Sequence, residues 1–184
     1  MTEDVKAQKF STLFRWFDKN GDGLLTHDDL HAMAEQFAAL ASEDDTANAT
    51  AMRDAFETWW QLLLTHGDSD GDGQISPQEF ITVMKANVTD PQHFEQAVLA
   101  IVDALMRALD TNQDGTLSQE EYVRMYDALG VPPTHSEAAF RLLDSDGDGS
   151  LSHSEFRTAI SEFYLSTDPK APGNQLLGPI DESI

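Results

Sequence analysis

The chain has no cysteine, so disulfides and thiolate metal sites are excluded from the outset. That absence suits a reducing compartment, and the expected location is cytoplasmic. Long apolar runs are missing too: the longest near the middle, Ala97 to Val102, is far too short to cross a bilayer. The opening stretch, MTEDVKAQKF, lacks the apolar core of a signal peptide, and Thr2 stands where myristoylation requires glycine. Basic residues are scarce: 11 Lys and Arg face 33 Asp and Glu, a formal net charge of -22. Such an excess repels nucleic acid and anionic membranes, and it attracts cations. Neither nucleic acid nor membrane is an expected partner. With 184 residues, there is enough chain for one large domain or two small ones.

What is present is unevenly placed acid. One phrase recurs four times: DKNGDGLLTHDD (18–29), DSDGDGQISPQE (68–79), DTNQDGTLSQEE (110–121) and DSDGDGSLSHSE (144–155). The last three satisfy the pattern D-x-[DN]-x-[DN]-G-x5-E in full, a chance match at roughly one in several hundred thousand starting positions. The pattern has a physical reason. Calcium takes six to eight oxygens, which such a loop supplies from side chains at positions 1, 3, 5 and 12 and from the carbonyl at position 7. The candidate ligands are Asp18, Asn20, Asp22, Leu24 and Asp29; Asp68, Asp70, Asp72, Gln74 and Glu79; Asp110, Asn112, Asp114, Thr116 and Glu121; and Asp144, Asp146, Asp148, Ser150 and Glu155.

Position 6, where the loop must turn sharply, is glycine throughout. Position 8 is apolar in every loop (Leu25, Ile75, Leu117, Leu151), which predicts short strand pairings that couple the first loop with the second and the third with the fourth. Position 9 is Thr26, Ser76, Ser118 or Ser152, each able to cap the exiting helix with the position-12 acid three residues on. On both sides of the loops apolar residues recur at spacings of three and four, as in Leu13, Phe14, Phe17 and in Phe156, Ile160, Phe163, which predicts flanking helices. Gly67 precedes the second loop where the other repeats have Phe or Leu, so the helix there is expected to end early. Asp90-Pro91 predicts a helix start that breaks the middle of the chain, and Thr134 with Glu137 predicts a capping box after Val131-Pro132-Pro133.

These repeats resemble the sarcoplasmic calcium-binding proteins, and especially the bacterial calerythrins, over essentially the whole chain. The resemblance implies an all-α, compact four-EF-hand fold, with hand pairs at 1–88 and 89–164 and a tail at 165–184 packed against the body. It also implies a globular calcium binder with its apolar surfaces turned inward, and the expected role is a calcium buffer. The tail is similar to the ends of coelenterazine photoproteins, which share this fold, and that likeness implies an alternative carrier of an apolar small molecule. Those photoproteins keep a histidine near the end of the last helix, and EFRTAISEFYLS has none. A sensor that shows a groove to a protein target is a further alternative; such grooves favour methionine, and only Met33, Met84 and Met125 lie in exit helices.

Calcium is the expected ligand, at up to four sites, in a monomer with no enzymatic chemistry. The family's second loop is often degenerate, but here Asp68, Asp70, Asp72 and Glu79 are as acidic as any set in the chain. In the first loop Asp29 is one methylene shorter than glutamate. It is expected to reach the ion either by drawing the exit helix inward or with one oxygen only, and the second choice leaves about six ligands, a shell that magnesium tolerates better than calcium's usual seven. His27 and His31, four apart, read as solvated imidazoles on an acidic helix. Trp16, Trp59, Trp60, Tyr126, Phe163 and Tyr164 read as core. Leu176, Leu177, Pro179 and Ile180 read as an apolar cover for a groove between the halves.

Overall fold

In the computed structural model, which describes residues 4–128 and 130–176, the chain is mostly helical. The first hand is α1 (Val5–Phe17) and α2 (His27–Ala38), and the second is α3 (Thr46–Gly67) and α4 (Pro77–Val83), which widens into a π-turn at Met84–Val88. The second half begins with α5 (Pro91–Phe94), which runs through a second π-turn, Glu95–Leu99, into α6 (Ala100–Leu109). It continues with β1 (Thr116–Ser118), α7 (Gln119–Ala128), α8 (Pro133–Leu143), β2 (Ser150–Ser152), α9 (His153–Leu165) and a 3-10 turn at Pro172–Gln175.

Each helix that enters a loop stops at the loop's first aspartate. Asp18, Asp110 and Asp144 donate their N–H to Phe14, Met106 and Phe140, at 2.9, 3.0 and 2.9 Å. The second hand does the same thing differently from what Gly67 implied. Its helix runs through Gly67 to Asp68 and does not end early. The glycine is there for packing: a Cβ would lie 3.1 Å from Val83 Cγ1 and 3.4 Å from Ile75 Cδ1. The predicted capping box at Thr134 is also corrected. The helix starts two residues earlier, with Pro133 at its first position, and no side chain caps it. The Asp90 cap stands as expected, its carboxylate accepting the Gln92 N–H at 3.1 Å.

The position-8 residues pair as their spacing predicted. Leu25 and Ile75 exchange backbone hydrogen bonds of 2.9 Å, and Leu117 faces Leu151 in the antiparallel pair β1–β2. All four side chains are fully buried, each worth about 1.5–3 kcal/mol of transfer from water. The loops of a pair are thereby fixed back to back.

One apolar core runs through both pairs. Phe17 meets Trp59 edge-on at 4.7 Å within the first pair, and Tyr122 meets Phe140 at 5.6 Å within the second. Between them, Trp16 reaches Tyr126 at 6.2 Å and Phe10 reaches Tyr164 at 6.1 Å. The five core aromatics named from the sequence besides Trp16 are buried, and Trp16 is half-buried against the same core. Leu176 is buried and, with residues of both pairs, lines an interior cavity of about 80 Å³. Leu177, Pro179 and Ile180 lie outside the described residues.

The tail turn is held by an unusual clasp. Lys9 is completely buried, yet its Nζ donates to the carbonyls of Glu162 (3.2 Å) and Ser166 (2.8 Å) and to Asn174 Oδ1 (3.0 Å). Three acceptors for three donors satisfy the ammonium, and two of them are carbonyls at the negative end of α9. Burial lowers the lysine to about 8, with Lys6 adding to the effect and Glu162 opposing it. Asn174 in turn donates to the carbonyl of Asp168 at 2.9 Å. Gly173 sits so close to α9 that a Cβ would be 2.4 Å from the Ala159 carbonyl, and its N–H donates to Glu162 Oε2 at 2.9 Å.

Candidate metal sites

Each loop is organised around its first aspartate. Gly21, Gly71 and Gly147 at position 4 donate to the position-1 carboxylate at 2.8, 2.8 and 2.9 Å. The position-6 N–H groups of Gly23, Gly73, Gly115 and Gly149 donate to its other oxygen at 2.9–3.0 Å. Position 4 of the third loop is Gln113, held at φ 59°, a conformation that costs a residue with a Cβ roughly 1 kcal/mol. The position-5 carboxylates accept the N–H of position 7, from Leu24, Gln74, Thr116 and Ser150, at 2.8–2.9 Å.

The last acid is placed from two sides. Glu79, Glu121 and Glu155 accept the N–H and hydroxyl of Ser76, Ser118 and Ser152 on one oxygen, the capping interaction expected from position 9. The other oxygen accepts the N–H of position 2, from Ser69, Thr111 and Ser145, at 2.9, 2.9 and 3.0 Å. The hydroxyls of the same three residues donate to it as well, at 2.6, 2.7 and 2.9 Å. These position-2 hydroxyls were missed in the sequence, although their repetition at Ser69, Thr111 and Ser145 against Lys19 was a visible signal.

The consequence is electrostatic. The Ser69 hydroxyl, then the Ser76 and Ser69 N–H groups, hold Glu79 down to about 2. Burial works against Glu155, but the donors of Ser152 and Ser145 outweigh it and bring that carboxyl to about 2 as well. Both stay ionised beside other carboxylates. Asp68, Asp70 and Glu79 have oxygens within 4.8 Å of one another, and so do Asp144, Asp146 and Glu155. In the second group the Asp148 N–H pulls Asp146 down, but burial and the charges of Asp148 and Glu155 prevail and push it up. Carboxylates at this separation repel one another when ionised, and a bound cation would relieve that repulsion. An all-oxygen donor set of this kind fits calcium or magnesium.

The first loop copies the frame with different parts. Asp29 Oδ2 accepts the Thr26 N–H at 3.0 Å and its hydroxyl at 2.7 Å. Its other oxygen reaches the position-2 N–H only at 3.3 Å, and position 2 is Lys19, which has no hydroxyl to add.

Four helix–loop–helix units paired through position 8, each with an oxygen-lined loop, define an EF-hand calcium-binding protein. Family profiles agree: an EF-hand domain pair matches residues 8–85, an EF hand residues 101–126, and an EF-hand domain residues 137–165. A sarcoplasmic calcium-binding protein of Perinereis vancaurica tetradentata is 34% identical over 96% of this chain and 99% of its own. Calerythrin of Saccharopolyspora erythraea is 25% identical over 90% of this chain and 95% of its own. The solved amphioxus sarcoplasmic calcium-binding protein superposes with a TM-score of 0.75 over 97% of this chain and 99% of its own, at 18% identity. The chain belongs to the sarcoplasmic calcium-binding protein family. Among the described residues no helix is long and apolar enough to cross a membrane.

Proposed function

We propose that this protein is a calcium buffer: a cytoplasmic, non-enzymatic monomer that takes up to four ions and has no obligatory protein target. Its sites would be the twenty candidate ligands of the loops at 18–29, 68–79, 110–121 and 144–155. Hand pairs at 1–88 and 89–164 would form the two binding lobes, with 165–184 as their cover. The first loop would carry the most magnesium character. At about 1 μM affinity and about 100 μM calcium, each filled site would add about 2.7 kcal/mol of stability.

The observation that supports buffering over sensing is the clasp on the tail. Lys9 and Gly173 hold the 172–175 turn against α9, and Leu176 takes up apolar surface that a target helix would need. The carrier alternative has a cavity of about 80 Å³ to work with. A site for a coelenterazine-sized ligand needs at least about 300 Å³.

The test is to remove residues 166–184 and follow calcium-dependent binding of a dye to apolar surface. The intact protein should stay dark on loading and the shortened one should bind dye. A large calcium-dependent signal from the intact protein would sink the buffer reading in favour of a sensor.

A further inference from the structure

We propose that His27, His31 and Glu57 form a fifth cation site, one that takes zinc-type transition ions rather than calcium. The two histidines open α2 one turn apart, so both imidazoles leave the same face of the helix. Their rings stand nearly parallel, 9° apart in plane, with centroids separated by 6.1 Å. Opposite them α3 presents Glu57, whose Oε2 lies 2.8 Å from His27 Nε2. Gln61 donates to the other oxygen of Glu57 at 2.9 Å and orients the carboxylate, as outer partners of metal ligands do. The buried Trp60 ring, 6.2 Å from His27, forms the floor.

Two imidazoles and one carboxylate are a zinc donor set that leaves a fourth position open. Imidazole selects zinc, copper and nickel, whereas the four loops offer only oxygen. With metal–ligand bonds of about 2.0–2.2 Å, an ion sits between donors roughly 3.3 Å apart. The His27–Glu57 contact therefore has to open by about half an ångström. The three donor atoms do not all lie within 4.8 Å of one another, so the His31 side chain has to turn to another rotamer to join the other two. Both movements are open to these side chains: His27 and Glu57 are about half exposed, and His31 is exposed. Between the two histidines lies Asp29, the last candidate ligand of the first loop. An ion that ties α2 to α3 would fix the helix carrying Asp29 and so couple the two sites.

The test keeps the loops filled with millimolar calcium and titrates zinc by calorimetry, with copper as a spectroscopic stand-in. One zinc per chain should bind. H27A, H31A and E57Q should each weaken it by at least about tenfold, while changing the other histidine pair, H66N/H93N, should not. Bound copper should show the magnetic signature of two imidazole nitrogens and quench Trp60 fluorescence. These exposed positions leave the fold intact, which far-ultraviolet dichroism of each variant checks. The proposal is overturned if zinc does not bind in excess calcium, or if H27A, H31A and E57Q bind it as the parent does.

Discussion

The first loop and the other three share a frame and differ at its two ends. In all four, position 1 gathers backbone N–H groups and position 8 pairs with a neighbour. In loops two to four a glutamate spans from the position-9 cap to position 2, where an N–H at 2.9–3.0 Å and a hydroxyl both meet it. In the first loop the aspartate spans the same gap with one methylene fewer, reaches the N–H at 3.3 Å and finds Lys19 without a hydroxyl. The difference teaches that the last acid and position 2 act as one unit. At that end the first loop keeps one hydrogen bond, longer than the N–H contacts of the other three, and lacks the hydroxyl.

The largest expected effect comes from breaking that unit outright. Glu79→Gln should lower calcium affinity at the second loop by on the order of 100-fold or more, about 2.7 kcal/mol, and remove one strong site from a calorimetric titration. Next is a change outside every loop. Lys9→Met takes the lysine donor from the Ser166 carbonyl and Asn174 Oδ1, while the Glu162 carbonyl keeps the Ser166 N–H, and should cost about 2–4 kcal/mol in denaturant unfolding. It should leave the ranking of the four sites unchanged. If it reorders them, the entering helix rather than loop chemistry sets the first loop apart.

Acid probes the same unit in the metal-free protein. Glu79 and Glu155 are drawn from the usual 4.5 to about 2, so the folded chain binds fewer protons than the unfolded one in that range. The stability they contribute is full above pH 4.5 and is lost as pH falls toward 2, with Asp146, which is raised, acting the opposite way. Denaturant midpoints measured across this range should fall with acid, and less steeply in E79Q.

The position-2 hydroxyl is a smaller term. Ser69→Ala should weaken the second loop by about fivefold, roughly 1 kcal/mol, and Lys19→Ser should strengthen the first by less than that because Asp29 remains short. Equal calcium affinities for S69A and parent would remove the hydroxyl from the account.

Much of this frame was readable because calcium's demands are local. Oxygens at alternate positions, a glycine turn and an apolar position 8 fall within twelve residues, so their register survives in the linear chain. What sequence could not show lies at contacts between distant segments. Gly67 looked like a weak helix end, because Val83 and Ile75, which crowd it, are not its neighbours in the chain. Lys9 sits in an unremarkable KAQKF, and only folding brings Glu162, Ser166 and Asn174 to it. His27 and His31 are exposed, as their reading as solvated imidazoles expects, but only folding brings Glu57 to His27. Ser69, Thr111 and Ser145 are the exception, since their pattern was local and could have been read.

We propose that Asp29 sets the cation preference of one site among four. Calcium titrations of the parent and of Asp29→Glu, each with and without millimolar magnesium, test it directly. In the parent, one site should bind calcium more weakly and lose more affinity to magnesium than the other three. In D29E that site should rise toward the others and shed most of its sensitivity to magnesium. The same calcium-to-magnesium ratio in both proteins would contradict the account.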